Sequence, residues 1–336
     1  MGNEKYNIQM KKLCYKLELG ALTEAPKEIS GGLLHKMFCI KTTKGKYAIK
    51  ALNPQIMLRP TAMKNYINSE RIADIAANHI PALPAKIIDD TFIHEMDSQF
   101  YLVFDWIKGR SIRAKDITLE NCKKIGTILA KIHKIDYSDL DIIYEKSDYE
   151  KLIDWKYYMK KGKEENAVWS NLIQENLNRL YELNDRVNKS EIFLSSNVVI
   201  SHRDLDPKNV MWNEDNPIII DWEASGYINP MKEMIETAIY WSEDESGHID
   251  KERFLAFISE YKKIYGELNG DWKVVLSNGF SGKLGWLEYS LKRSLLIECT
   301  DEEEQKLGTD EVIETMQSII NYSNEIPVIE EWLNGI

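Results

Sequence analysis

The chain has 336 residues, room for two domains of ordinary size or one large one. At 43% hydrophobic and 10% aromatic it can bury a sizeable core, which argues against disorder. Lysine and arginine number 43 against 54 acids, a formal net charge of −11. That balance speaks against gripping a phosphate backbone over a broad surface, and so against general nucleic-acid binding, while it suits a cationic small molecule.

Cys14, Cys39, Cys122 and Cys299 are scattered without a CxxC pair and read as buried thiols of a reducing compartment. Tyr6 stands where an N-terminal myristoylation signal wants Ser or Thr. No apolar leader and no membrane-length run are visible, so a soluble, cytoplasmic protein without a membrane partner is expected.

In chain order, Ile29-Ser30-Gly31-Gly32 reads as a glycine turn and residues 37–40 as a short strand. Thr42-Thr43-Lys44-Gly45 is a polar turn from which 46–52 pairs back. A helix is expected over about 61–79, bracketed by Pro60 and Pro81, followed by strand-like runs at 85–88 and 99–104. From Lys108-Gly109 the texture becomes helical. Thr118 is a candidate N-cap for a helix bearing Ile125, Leu129, Ile132 and His133. Helical patterns also cover 149–188 and 251 onward, with β-like runs at 198–200 and 217–220 between them. A boundary at 105–110 gives a β-rich unit with one helix, residues 1–107, and a helical unit, residues 108–336.

The most informative stretch is Ser201-His202-Arg203-Asp204-Leu205-Asp206-Pro207-Lys208-Asn209, followed by Ile218-Ile219-Ile220-Asp221-Trp222-Glu223. A strand leads into a tight loop that presents Asp204 and Asn209, and a second strand ends in Asp221. Oxygen ligands from adjacent strand ends suit Mg²⁺, which also keeps phosphate oxygens and waters. A further carboxylate nearby can align an attacking hydroxyl and take its proton. An isolated HxD would be an ordinary self-capped loop; the ordered set Asp, Asn, apolar strand, Asp points to phosphoryl transfer.

This arrangement resembles the aminoglycoside phosphotransferase/choline kinase family of small-molecule kinases, within the kinase-like superfamily. His202-x-Asp204-x4-Asn209 and Asp221 fit its HxDxxxxN…D signature without gaps, and Gly126 to His133 is similar to the helix ahead of its catalytic loop. The likeness runs from about Ser30 to Tyr240. It implies a bilobal α+β, protein-kinase-like fold: a five-stranded antiparallel N-lobe with one helix, a hinge, and a mainly helical C-lobe. It further implies that Lys50 contacts the α- and β-phosphates. Glu70 would hold the ammonium, with Asp74 as second choice. The backbone of Ser30, Gly31 and Gly32 would cover the phosphates, although this turn departs from GxGxxG. Backbone groups of Asp105 and Ile107 would bind the adenine edge in the hinge Phe104-Asp105-Trp106-Ile107. Asp204 becomes the catalytic acid–base group, Asn209 and Asp221 the Mg²⁺ ligands, and His202 a structural prop of the loop. ATP is the implied co-substrate; the sequence does not separate it from GTP.

Three departures separate the chain from protein kinases. Asp206 stands where protein Ser/Thr kinases carry a Lys that neutralises the transferring phosphate. Asp221-Trp222-Glu223 replaces DFG, and no APE closes an activation segment. The acceptor is therefore expected to be a small alcohol. Within the small-molecule family, Arg203 and Asp206 replace the commoner Gly and His, and Glu233 replaces an Asp. Acids and aromatics in the C-terminal half nominate Glu236, Trp241, Trp286 and Glu298 for binding a cationic, hydroxylated acceptor. An aminoglycoside leads, with a macrolide or an amino-alcohol such as choline next, whether the role is antibiotic resistance or metabolism. The run 301–304 reads as a helix N-terminus. A catalytically silent nucleotide-binding regulator is the alternative from another class; the complete set Lys50, Asp204, Asn209 and Asp221 argues against it. No HExxH, calcium loop or GxSxG competes, and oligomeric state stays open.

Overall fold

The computed structural model describes residues 5–29, 34–144 and 152–336. They form two compact units: Met1–Arg113 with Ile135–Ile142 and His202–Gly226, and Ala114–Lys134 with Ile143–Ser201 and Tyr227–Ile336.

The first unit begins with helix α1 (Met10–Lys16) and strands β1 (Lys27–Ile29), β2 (Lys36–Lys41) and β3 (Lys46–Ala51). The short α2 (Pro54–Met57), α3 (Ala62–Ala76), β4 (Ile93–Met96) and β5 (Gln99–Asp105) follow. The strands make one antiparallel sheet in the order β1-β2-β3-β5-β4. Alternate residues of a strand face opposite sides. Ile40, Ile49, Tyr101 and Val103 accordingly pack with Leu13 of α1 on one face. On the other, Leu102 and Phe104 pack with Ala62 and Tyr66 of α3. A sheet apolar on both faces needs two covers, which is why α1 joins the single helix expected from the sequence. The strand expected at 85–88 is an irregular segment tied to β5 by the Lys86 N–H, 2.7 Å from Val103 O. It ends in a turn where Asp89 and Asp90 have φ of 51° and 59°, and β4 comes after it.

The remaining chain runs α4 (Leu119–Ile132), α5 (Trp155–Glu164), α6 (Ser170–Glu175), α7 (Leu177–Leu194) and β6 (Val199–Ser201). Then come β7 (Val210–Asn213), β8 (Asn216–Ile219), β9 (Gly226–Ile228), α8 (Pro230–Tyr240), α9 (Lys251–Tyr265), α10 (Trp272–Asn278), α11 (Phe280–Ser294) and α12 (Glu302–Asn334). The β7–β8 hairpin is bonded on both sides within the first unit. Trp212 exchanges backbone bonds with Arg110 at 3.1 and 2.9 Å, and Ile219 bonds Leu83 N and Pro81 O at 2.9 and 2.7 Å. Residues 202–226, which the sequence boundary assigns to the helical half, thus fold with the sheet unit.

In the second unit Thr118 caps α4 in a reciprocal box with Asn121, the two bonds measuring 3.2 and 2.9 Å. Gly126 lets α4 lie directly on α9: a Cβ there would sit 2.5 Å from the Phe257 carbonyl oxygen. Backbone cannot swing aside as a side-chain tip can, so Gly126→Ala is expected to cost about 1–3 kcal/mol, read as a lower urea midpoint at unchanged slope. His133 at the end of α4 bonds Glu233 Oε2 at 2.8 Å and Tyr261 OH at 2.6 Å, all three side chains buried. The glutamate that replaces the family's usual aspartate is thus the partner of His133. Among the described residues no helix is long and apolar enough to cross a membrane, and the four cysteines are free and buried.

Candidate active site

The loop after His202 is held by its own side chains. His202, with no exposed surface, accepts the Asp204 N–H at Nδ1 (3.2 Å) and donates from Nε2 to the Ile220 carbonyl at 3.0 Å. A backbone N–H can only donate and a carbonyl can only accept, so the ring carries its proton on Nε2. Both nitrogens are engaged in holding the loop, and the ring lies edge-on to Trp222 at 4.7 Å.

Asp206 Oδ1 accepts the Lys208 N–H at 2.8 Å and starts the 3₁₀ turn Pro207–Asn209, which delivers Asn209. The Asn209 amide donates to the Asp204 backbone oxygen and to Asp204 Oδ2, both at 2.8 Å. The Asn209 backbone carbonyl accepts the Ile220 N–H at 2.9 Å. With Val210 paired to Ile219, this register sets Asn209 and Asp221 side by side at the open end of the hairpin. Asp221 has a φ of 62°, a left-handed conformation that a non-glycine residue keeps only where its surroundings enforce it.

Beside the Asp221 carboxylate lies Lys50. Its ammonium, on a side chain 8% exposed, lies 2.6 Å from Asp221 Oδ1 and 2.8 Å from Glu223 Oε2. Glu223 is in turn 3.1 Å from His35 Nε2. His35 Nδ1 accepts the Asn53 N–H at 2.9 Å, which leaves Nε2 as the protonated nitrogen, 2.7 Å from Tyr66 OH. Burial alone would lower the Lys50 pKa, but the two carboxylates outweigh it and hold the ammonium above its ordinary range. Burial likewise opposes ionisation of Glu223, and Lys50 and His35 outweigh it, holding that carboxyl well below the usual range.

Glu223 therefore takes the contact that the sequence reading gives to Glu70. Glu70, buried in α3, accepts the Ala85 N–H at 2.6 Å and makes no ion pair with Lys50. Helical spacing places an acid on the sheet-facing side of α3 without fixing where its carboxylate ends. An acid at the third position of Asp221-Trp222-Glu223, directly after an apolar strand, is the signal that marks Glu223. Burial pushes Glu70 up to about 7, against the pull of the Ala85 bond and the Lys50 charge. A raised carboxyl contributes stability that is complete below its unfolded value and lost as pH rises through the folded one. Glu70→Gln keeps a carbonyl for Ala85. It is expected to be more stable than wild type at pH 8, by about 2 kcal/mol, with the gap closing toward pH 4.5. Denaturant melts at the two pH values check this; a variant weaker at both would return Glu70 to the Lys50 site.

Asp105 ends β5 opposite Tyr47, and its exposed carboxylate meets Lys86 Nζ at 2.7 Å. Trp106 N–H donates to Lys46 O at 3.2 Å, and the Lys46 ammonium sits 3.6 Å from the Trp106 ring centroid. Ile107 follows, half-buried, outside the sheet. Ser30, Gly31 and Gly32 lie outside the described residues.

The acceptor candidates all fall in the second unit. Trp241 has no exposed surface, and its carbonyl accepts from Cys122 Sγ at 3.3 Å; it is core and offers an acceptor no surface. Trp286 on α11 donates to Glu311 at 2.7 Å, Glu236 on α8 lies 3.9 Å from Lys232, and half-buried Glu298 lies between α11 and α12. The acidic run is a helix start: Asp301 accepts the Glu304 N–H at 3.0 Å, and Glu304 accepts the Thr300 N–H at 2.9 Å.

The donor set fits a hard cation. Asn209 turns its N–H groups to Asp204, which leaves Oδ1 as its remaining side-chain donor to a cation, and Lys50 meets only one oxygen of Asp221. Among the described residues no group of three or more His, Cys, Asp or Glu is arranged for a metal. One amide and one carboxylate oxygen suit Mg²⁺, which takes few protein ligands when it shares phosphate oxygens.

A five-stranded sheet unit with a buried lysine, an HxDxxxxN loop and an aspartate-ended hairpin defines a kinase-like phosphotransferase fold. The chain belongs to the phosphotransferase enzyme family (APH), whose profile matches residues 26–266. No curated protein matches it. Among solved structures it is similar to spectinomycin phosphotransferase in complex with ADP and spectinomycin, with a TM-score of 0.69 at 14% identity over 96% of this chain and 100% of that one. It is also similar to amicoumacin kinase in complex with AMP-PNP and Ca²⁺ (TM-score 0.60, 14% identity, 93% of each chain). Plasmodium vivax ethanolamine kinase gives a TM-score of 0.58 at 16% identity over 87% of this chain and 81% of that one.

Proposed function

We propose that the protein transfers the γ-phosphoryl group of a nucleoside triphosphate to a hydroxyl of a small, cationic, hydroxylated molecule. The observation that carries this reading is that one unit holds the Lys50–Asp221 ion pair and the Asn209–Asp204 bond, with the backbone of Ile220, next to Asp221, bonded to Asn209 and His202. In this arrangement Asp204 orients the acceptor hydroxyl and takes its proton, while Lys50, kept by Glu223, turns from Asp221 to the nucleotide phosphates. Asn209 Oδ1 and Asp221 would hold Mg²⁺, which when bound offsets phosphate charge. Glu223, bonded to His35, positions Lys50, and backbone groups of Asp105 and Ile107 take the adenine edge. Catalysis is then mainly positioning and charge neutralisation.

The acceptor class rests on the net charge of −11 and on similarity to proteins named for spectinomycin and amicoumacin. A resistance-type phosphotransferase acting on an aminoglycoside-like compound is the first choice. Similarity to an ethanolamine kinase supports an amino-alcohol metabolite as the second. The test is Mg²⁺-dependent ADP release from ATP or GTP against aminoglycosides, macrolides and amino-alcohols. Stimulation by one class supports the reading and chooses between these acceptors. Nucleotide binding without stimulation by any class favours a regulator instead.

A further inference from the structure

The catalytic loop carries a cation to which the reaction above gives no role. Lys208 lies in the 3₁₀ turn Pro207–Asn209, directly before Asn209. Its Nζ is 4.0 Å from Asp204 Oδ2 and 3.8 Å from Asp206 Oδ2, on a side chain 50% exposed. The stem is fixed at its root, because Pro207 restricts the turn and Asp206 Oδ1 accepts the Lys208 N–H at 2.8 Å.

Charge gives this placement its meaning. A triphosphate entering this unit meets the carboxylates of Asp204, Asp206, Asp221 and Glu223, and Lys50 is bonded to the last two. Asp206, an acid, occupies the loop position where protein Ser/Thr kinases place their phosphate-neutralising lysine, so a cation elsewhere on this loop would add to the neutralisation that Lys50 supplies. Lys208, two positions later, places an ammonium within 4.0 Å of the carboxylate that orients the acceptor.

We propose that Lys208 is a catalytic residue of the phosphotransfer, its ammonium leaving Asp206 to contact the γ-phosphoryl group beside Asp204. The inference rests on the phosphotransferase reading above. In the step, the acceptor oxygen bonds to the γ-phosphorus as the bond to the β,γ-bridging oxygen breaks. The electron pair of the broken bond stays on ADP, and the hydroxyl proton passes to Asp204 and on to water. The three peripheral oxygens of the moving group keep their negative charge throughout, and Lys208 neutralises part of it. Asp206 serves as the resting partner that keeps the ammonium beside the reacting centre between turnovers.

The experiment compares wild type with Lys208→Met, which keeps the length and removes the charge, and Lys208→Arg, which keeps the charge. Two readouts are taken: ADP release from MgATP with the best acceptor of the panel (or with water), and calorimetric affinity for MgADP with and without tetrafluoroaluminate, a mimic of the moving phosphoryl. Lys208→Met is expected to lower kcat roughly 30- to 100-fold with KM for ATP within about threefold. ADP affinity should hold, affinity for the ADP–fluoroaluminate pair should fall by a factor like that in kcat, and Lys208→Arg should recover most of both. A lysine that only props the loop would change ADP and ADP–fluoroaluminate affinity alike and lower the melting temperature. That outcome, or a Lys208→Met kcat within about twofold of wild type, overturns the inference while wild-type turnover leaves the phosphotransferase reading intact. A wild type that neither binds ADP nor releases it with any acceptor or with water overturns both.

Discussion

Asp204→Asn is expected to lower kcat by about a thousandfold or more, with ADP affinity and melting temperature close to wild type. The substituted amide can still offer an oxygen to the Asn209 amide that bonds Asp204 at 2.8 Å, so the loop keeps its shape and loses only the proton acceptor. The wild-type pH profile carries a matching signature. Burial pushes the Asp204 carboxyl up, Asp206 and Asp221 add to this, and Lys208 and Asn209 hold it back, leaving it at about 7. The ionised form is the competent one, so kcat/KM should fall as pH drops below about 7, approaching tenfold per unit well below that value. In Asp204→Asn the residual rate should lose this acid limb. A variant that keeps both the rate and the limb would remove Asp204 from the chemistry.

Lys50→Met is expected to have the largest effect on stability, about 3 kcal/mol or more at pH 7, together with loss of turnover. The substitution removes the cation from between Asp221 and Glu223, which approach it at 2.6 and 2.8 Å, and leaves their charges facing each other. In the wild type, Glu223 is held below its ordinary range, so its contribution is present above the unfolded carboxyl value and lost as pH falls toward the folded one. Lys50, held above its ordinary range, contributes below the unfolded lysine value and loses that contribution only as pH rises through its folded one. The clamp is therefore intact from about pH 5 to about pH 10. Across that window the deficit of Lys50→Met should be largest, and it should shrink in acid as the stranded carboxylates protonate. Denaturant unfolding at pH 4 and pH 7 checks this; a deficit equal at both values would mean lost packing, not lost charge.

The parts of this site that were legible in the sequence are those fixed by local spacing. Asp204, Asn209 and Asp221 sit on one loop and one hairpin, so their order along the chain already sets their neighbourhood. The β2–β3 hairpin and the Thr118 cap were legible for the same reason. What depends on distant segments was not. The attachment of residues 202–226 to the sheet unit runs through backbone bonds to Pro81, Leu83 and Arg110, which no periodicity records. Helix α1 is seven residues long, too short for a clear amphipathic pattern, and its need becomes visible only once both faces of β3 and β5 prove apolar. The exchange of Glu70 for Glu223 beside Lys50 is of the same kind, since sequence names the acids near a lysine and side-chain direction decides which one reaches it. Trp241 shows the limit of composition: an aromatic in an acid-rich stretch suggests a cation cage, and the packing of α8 buries it completely.

The central claim is that this arrangement moves a phosphoryl group from a nucleotide to a carbon-bound oxygen. Phosphorus NMR of MgATP incubated with the protein and an amino-bearing alcohol observes that transfer directly. The account predicts that the γ-phosphorus signal of ATP is replaced, mole for mole, by a phosphomonoester coupled to protons of the acceptor carbon, and that Asp204→Asn abolishes the new signal. ATP that stays intact with every hydroxyl acceptor while nucleotide is bound, or that yields only inorganic phosphate, would contradict it.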